Sequence, residues 1–259
     1  MMTVKSPREL DLMGRAGRIV GATLALVESR TRPGVSTADL DAVAEEFIRS
    51  HEGATPSFKG LYGFPATLCT SINEEVVHGI PSARRVLKEG DILSVDVGAC
   101  VGGFHADSAI TVPVGRIDAA AAALLAGTQA ALCAGIAAVR AGIHVGDIGH
   151  AVQGVAEKAG FSVVRELVGH GIGSAFHEEP QVPNFGQPGK GPRLLAGMTI
   201  AVEPMVNIGR REIRTLADRW TVVTADGSLS AHFEHTVVVT ERGSTILTGR
   251  PAQQASPPG

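Results

Sequence analysis

The sequence predicts an α+β domain with approximate internal twofold symmetry, helices lying on one face of a mostly antiparallel sheet. Three observations carry that prediction. Arg32-Pro-Gly-Val-Ser-Thr-Ala-Asp39-Leu realigns with Arg140-Ala-Gly-Ile-His-Val-Gly-Asp147-Ile at an offset of 108. Gly90-Asp-Ile-Leu-Ser-Val-Asp96 realigns with Gly197-Met-Thr-Ile-Ala-Val-Glu203 at an offset of 107. A His-Gly-Ile triplet recurs at His78 and His170, at a shorter offset of 92. Two copies of a helix, helix, strand unit, each bringing acid and histidine to a common centre, account for all three. The expected organisation is one domain over residues 1–249, with repeats at about 6–115 and 116–245.

Each element has a local cause. Residues 6–30 open with Ser6-Pro7-Arg8-Glu9, a capping box with proline at the first helical position. The second helix is capped by Ser36 or Thr37 and places Leu40, Val43, Ala44 and Phe47 on one stripe. A hairpin is centred on Val101-Gly102-Gly103. Asp96 and Asp107 are eleven residues apart. That odd separation, with an even-numbered turn, predicts that they stand directly opposite on one face, their β-carbons roughly 5 Å apart.

Residues 118–139 repeat the first helix. The stretch 119–139 is uncharged and long enough to cross a bilayer. It is mostly alanine and glycine, however, with Thr128 and Gln129 at its middle. Leu125, Leu132, Ile136 and Val139 recur at helical spacing, which predicts a helix lying on a core. Asp147 caps the fourth helix, whose inward residues are Ile148, Val152 and Val155. Pro204 after Glu203 removes a ladder donor and marks a strand end, so Asp96 and Glu203 are expected at equivalent ends of equivalent strands. In the last strand His232, Glu234 and Thr236 share a face, with Phe233, Val237 and Val239 behind. Residues 250–259 have the composition of a disordered tail.

Composition narrows the function. The 259 residues are 44% hydrophobic with a net charge of −3 and no polybasic block. Nucleic-acid binding and membrane-surface attachment are therefore not expected. Cys69, Cys100 and Cys133 form no CxxC pair, and the odd count suggests a reducing compartment. The N-terminus has no apolar secretory core.

Four acids and one histidine stand in contexts that favour apolar chain: Asp96 in ILSVDVGA, Asp107 in FHADSAITV, His170 in LVGHGIG, Glu203 in TIAVEPMV and Glu234 in AHFEHTVVV. Burying carboxylates is costly without a compensating cation, so this set points to metal. Four carboxylates balance two divalent ions. One imidazole among oxygen donors suits Mn, Fe or Co at least as well as Zn. Two such ions sharing a water describe a hydrolase. The glycines of Gly169-His-Gly-Ile-Gly173 lack the third step of a dinucleotide loop. His51, His105, His144, His150, His232 and His235 read as surface or packing residues.

The segments NEEVVHGIP (73–81), VDVGACVGGFHAD (95–107), GHGIGSAFHEEPQVPNFG (169–186), GMTIAVEPM (197–205) and SAHFEHT (230–236) together resemble bacterial type I methionine aminopeptidase, over nearly the whole chain. The resemblance implies the pita-bread fold, a curved antiparallel sheet with helices on its outer face. It implies removal of the initiator methionine from nascent chains, by attack of a metal-bridging water on the first peptide bond before a small second residue. Carried over by position, Asp96, Asp107, His170, Glu203 and Glu234 would bind two divalent ions, with Asp107 and Glu234 bridging. His78 would contact the substrate backbone, His177 would stabilise the carbonyl oxygen, and Glu203 would also accept a proton from water. Phe58, Leu61, Tyr62, Phe64, Cys69, Phe176 and Trp220 would form the methionine pocket. Relatives often carry tyrosine at the positions of Leu61 and Phe64, which leaves this chain's pocket polarity open.

Aminopeptidase P and prolidase share the ligand set but usually carry a large N-terminal domain, for which a helix starting near Ser6 leaves no room. The type II methionine enzyme usually has an insertion that the interval from His177 to Glu203 cannot hold. A non-catalytic relative would lack ligands that are all present here. The remaining expectations are a cytoplasmic monomer, a peptide or nascent-chain N-terminus as partner, and transient ribosome association.

Overall fold

The structure, a computed structural model, describes residues 2–251. Among them four α-helices occur as two pairs, α1 (Pro7–Arg30) with α2 (Thr37–Arg49) and α3 (Ala119–Ala138) with α4 (Val145–Lys158). In α1 the Glu9 carboxylate accepts the Ser6 N–H at 2.7 Å while the Ser6 hydroxyl accepts the Glu9 N–H at 3.4 Å. Ser36 caps α2 and is answered by Asp39. The cap of α4 is His144, not Asp147. Asp147 is the third helical residue and accepts the His144 N–H at 2.7 Å. It thus does what Asp39 does in the first repeat.

By length and composition α3 could cross a membrane; here it packs on α4 and on strands of the sheet. Its inward stripe is Ala121, Leu124, Thr128, Ala131, Leu132 and Gly135. Leu125 and Ile136, expected inward, are only half-buried. Small residues win that face because they let α3 approach closely: a Cβ on Gly135 would lie 2.7 Å from Val152.

The first half contributes β1 (Ala54–Pro56), β2 (Leu68–Ile72), β3 (Glu75–Val77), β4 (Ile92–Val101) and β5 (Phe104–Pro113). The second contributes β6 (Ser162–Val163), β7 (Gly169–Gly171), β8 (Glu178–Val182), β9 (Thr199–Val202), β10 (Met205–Asn207), β11 (Ile213–Thr215), β12 (Val222–Thr224), β13 (Ser230–His232), β14 (His235–Val239) and β15 (Ser244–Ile246). All pairings are antiparallel. β4 is flanked by β5 on one side and by β1 and β2 on the other, and the longest sheet of the second half runs β15-β14-β9-β7-β8.

One apolar core draws on both repeats, from Ala16, Val20 and Leu24 of α1 through Leu93 and Val95 of β4 to Ile200 and Val237 of the second half. The pita-bread architecture follows: helices outside, a curved broken sheet inside. Of the expected tail, Arg250 is described and pairs with Glu28 at 2.7 Å; residues 252–259 lie outside the described residues.

Candidate metal centre and active site

Asp96 stands in the middle of β4, not at a strand end. Asp107 stands on β5. The hairpin turn is Gly102-Gly103, with φ of 57° and 83°, the two left-handed positions that such a turn requires. This register sets Asp107 against Gly98 and Asp96 against Ala109. The aspartates therefore share a face but stand diagonally. Direct opposition would have put Val101 in the turn centre, where a β-branched residue does not tolerate positive φ.

The two glutamates occupy breaks in the ladder. Glu203 and Pro204 separate β9 from β10. What was expected as one strand around Glu234 is two: β13 pairs with β10 and β14 with β9, so Phe233 and Glu234 fall between sheets. The Glu234 N–H donates to the Ala109 carbonyl at 2.9 Å, and the Ser108 hydroxyl donates to the Glu234 carbonyl at 2.5 Å. Asn184 donates to the Glu203 carbonyl at 3.0 Å. A side chain at such a break can leave the sheet plane and enter the interior.

His170 on β7 donates from Nδ1 to the Gly171 carbonyl at 2.8 Å, which leaves the Nε2 lone pair facing inward. Donor atoms of Asp107, His170 and Glu234 lie within 4.8 Å of one another, all in buried residues. Asp96 and Glu203 line the same cavity of about 200 Å³, and His170 Nε2 lies 3.7 Å from Glu203 Oε1. The five sequence-selected donors converge.

Their electrostatics are those of a site short of positive charge. Burial, with hydrogen bonds only partly opposing it, pushes Asp96 up to about 7. Burial first, then Glu234 and Asp96, drives Asp107 well above the carboxylate range. Glu203 is raised by burial, Asp107 and Asp96, and Glu234 by burial, Glu203 and Asp96. Asp96 Oδ1, Asp107 Oδ1 and Glu234 Oε1 are buried without a hydrogen-bond partner. Among the described residues no lysine or arginine lines the cavity. Four clustered carboxyls, orphaned oxygens and an inward imidazole lone pair fit divalent cations.

The apolar wall is continuous with this cluster. Phe58, Phe64, Cys69 and Phe176 are buried, with Leu61 and Trp220 partly so. Phe58 meets Phe176 edge-on at 5.3 Å, and Phe64 meets Trp220 at 5.0 Å. Tyr62 also lines this cavity, but from its open side. It is 73% exposed, and its ring stacks on His177 at the cavity mouth.

His78 lines the cavity at φ 61°, and burial, then His177, lowers its pKa to about 4. His177 is lowered by partial burial. His232, expected as packing, is a cavity residue instead. It is 1% exposed, its Nε2 makes no hydrogen bond, and that atom lies 3.8 Å from Glu203 Oε2. Burial, then His78, lowers it to about 3. The available signal was its shared face with Glu234. His105 and His235 hold structural bonds, to Ser57 at 2.8 Å and Thr248 at 2.9 Å.

The sequence profile of metallopeptidase family M24 matches residues 11–241. The chain is 53% identical to a methionine aminopeptidase of Clostridium perfringens, over 96% of this chain and 99% of that one. It is 52% identical to methionine aminopeptidase 1 of Bacillus subtilis over the same shares. A methionine aminopeptidase crystal structure from Thermotoga maritima superposes with a TM-score of 0.95 at 43% identity, over 96% of this chain and all of that one. With its carboxylate cluster and adjoining aromatic pocket, the chain belongs to metallopeptidase family M24, among the bacterial type I methionine aminopeptidases.

Proposed function

We propose that the enzyme removes methionine from the N-terminus of peptides and nascent polypeptides whose second residue is small. The observation that carries this is a single cavity in which an apolar aromatic pocket adjoins the carboxyls of Asp96, Asp107, Glu203 and Glu234 and the imidazoles of His78, His170 and His177. Methionine suits such a wall because its thioether is polarizable and packs against aromatic edges. The names of the relatives support the same reading.

Asp96, Asp107, His170, Glu203 and Glu234 would hold two divalent ions, of Co, Mn, Fe or Zn. When bound, such ions supply a water acidic enough to react near neutral pH and polarise the substrate carbonyl. Glu203 takes the proton from the attacking water. His177 donates to the carbonyl oxygen as negative charge develops there. His78, neutral in its desolvated setting, contacts the scissile amide. The second residue is selected by space rather than charge. The setting we infer is cytoplasmic, with the enzyme acting as a monomer on chains emerging from the ribosome.

The test is turnover of Met-Ala-Ser, Met-Lys, Met-Phe and Ala-Pro peptides by metal-replete enzyme, with metal content measured on the same sample. Cleavage of Met-Ala-Ser alone is expected. Comparable turnover of the three methionine peptides would remove the small-residue preference, and cleavage of Ala-Pro would make the enzyme proline-directed.

A further inference from the structure

Tyr62 is held in a conformation that its own packing does not explain. Its φ of 51° and ψ of 18° lie in the left-handed region, which disfavours bulky L residues. Its residue surface is 73% exposed, so burial does not compensate. What the conformation achieves is a contact across the cavity mouth. The Tyr62 ring lies 5.8 Å from the His177 ring at 14° between planes, and the hydroxyl is 3.3 Å from His177 Nδ1. Strain retained at a functional site is a reason to ask what it positions.

His177 is boxed from the other side. His170 meets it edge-on at 4.4 Å and Phe176 at 4.8 Å. Those contacts fix the ring's place but not its proton. A neutral imidazole carries one N–H, and the bond made by one nitrogen decides what the other presents. When the Tyr62 hydroxyl donates to Nδ1, the proton sits on Nε2, the form that can donate to a carbonyl oxygen. The opposite tautomer would present a lone pair to developing negative charge.

We propose that Tyr62 is a positioning residue for this reaction, holding His177 through Nδ1 in the Nε2–H tautomer and in the orientation that faces the substrate carbonyl. The proposal rests on the role given to His177 above. It assigns Tyr62 to the histidine rather than to the methionine side chain.

The test is a double-mutant cycle on Met-Ala-Ser with metal-replete wild type, Tyr62→Phe, His177→Ala and the double variant, alongside imidazole ¹⁵N shifts of His177 in wild type and Tyr62→Phe. Phenylalanine keeps the stack and removes only the hydroxyl. We expect kcat to fall about threefold to tenfold in Tyr62→Phe with KM nearly constant, and almost no effect of the same change once His177 is alanine. The Nε2–H population should fall in Tyr62→Phe. Equal slowing in both backgrounds, or a change confined to KM, would overturn the proposal. If His177→Ala retains the wild-type kcat, the role of His177 fails instead, and an unchanged tautomer in Tyr62→Phe then separately rejects the role of Tyr62.

Discussion

The hydroxyl of Thr236 accepts the backbone N–H of Asp107 at 2.9 Å and donates to the Asp107 carbonyl at 2.8 Å. Four residues away on β5, Thr111 does the reverse service: its hydroxyl accepts the His232 N–H and donates to the His232 carbonyl, each at 2.9 Å. Between them the Glu234 N–H meets the Ala109 carbonyl. β5 of the first half is thus joined to the β13–β14 segment of the second largely through threonine side chains, and Asp107 and Glu234 are fixed at that joint.

Thr236→Val keeps the shape and leaves two buried backbone groups of Asp107 without partners. The metal-free protein should lose about 2 kcal/mol of stability, read as a lower urea midpoint at unchanged m-value. Metal affinity should fall as well, because the donor's backbone is no longer pinned. A stability change within about 0.5 kcal/mol would show that the seam does not depend on this hydroxyl.

Asp107→Ala and His78→Ala should separate metal binding from chemistry. The first removes a donor shared with His170 and Glu234, so calorimetry should show weaker metal binding together with lost turnover. The second should lower kcat by about a hundredfold or more with metal affinity little changed. Equal metal loss in both would contradict the division of roles.

Gly98 leaves the space that the pocket uses. A Cβ there would lie 2.9 Å from both Phe176 Cε2 and Ser57 Cβ, and 3.2 Å from Phe58 Cε1. Gly98→Ala should therefore push the aromatic wall inward and raise KM for Met-Ala-Ser about tenfold, with metal content retained. Loss of metal with KM intact would place the damage at Asp107, its cross-strand neighbour.

The metal-free enzyme should lose stability as pH rises from the histidine range through about 7, where Asp96 titrates in the folded state. Asp96, raised to about 7, and Asp107, Glu203 and Glu234, raised well above the carboxylate range, all have folded pKa values above those of the unfolded chain. In that window the folded state binds more protons than the unfolded state, so raising pH favours unfolding. His78 and His170, lowered to about 4, act in the opposite sense but only below about 6.5, where unfolded histidine titrates. Urea midpoints in chelator should fall across the window, and saturating Mn²⁺ or Co²⁺ should remove the decline. A flat profile in chelator would mean that the four carboxyls are compensated by something other than an ion.

That Asp96, Asp107, His170, Glu203 and Glu234 share one cavity was legible because a carboxylate in an apolar β context is a local anomaly, visible in any eight-residue window. Register was not local in this sense. Whether Asp96 and Asp107 face each other directly or diagonally depends on which two residues take positive φ, and the two glycines after Val101 decide it. The breaks at Glu203 and Glu234 were half-visible: Pro204 marked the first, whereas nothing in His-Phe-Glu-His breaks a strand, and that interruption comes from the change of pairing partner between β10 and β9. His232 was missed because a histidine in a β run looks the same whether its far side is core or cavity. Tyr62 lines the cavity as its sequence position suggests, but position carries no information about the left-handed backbone that lays its ring on His177.

Two of the five donors rise from the first repeat and three from the second, so neither repeat alone encloses the cavity. Any ion held there is a rivet through the joint between them. The threonine-lined seam, by holding the Asp107 backbone against the second half, sets the spacing at which donors from the two repeats meet any such ion.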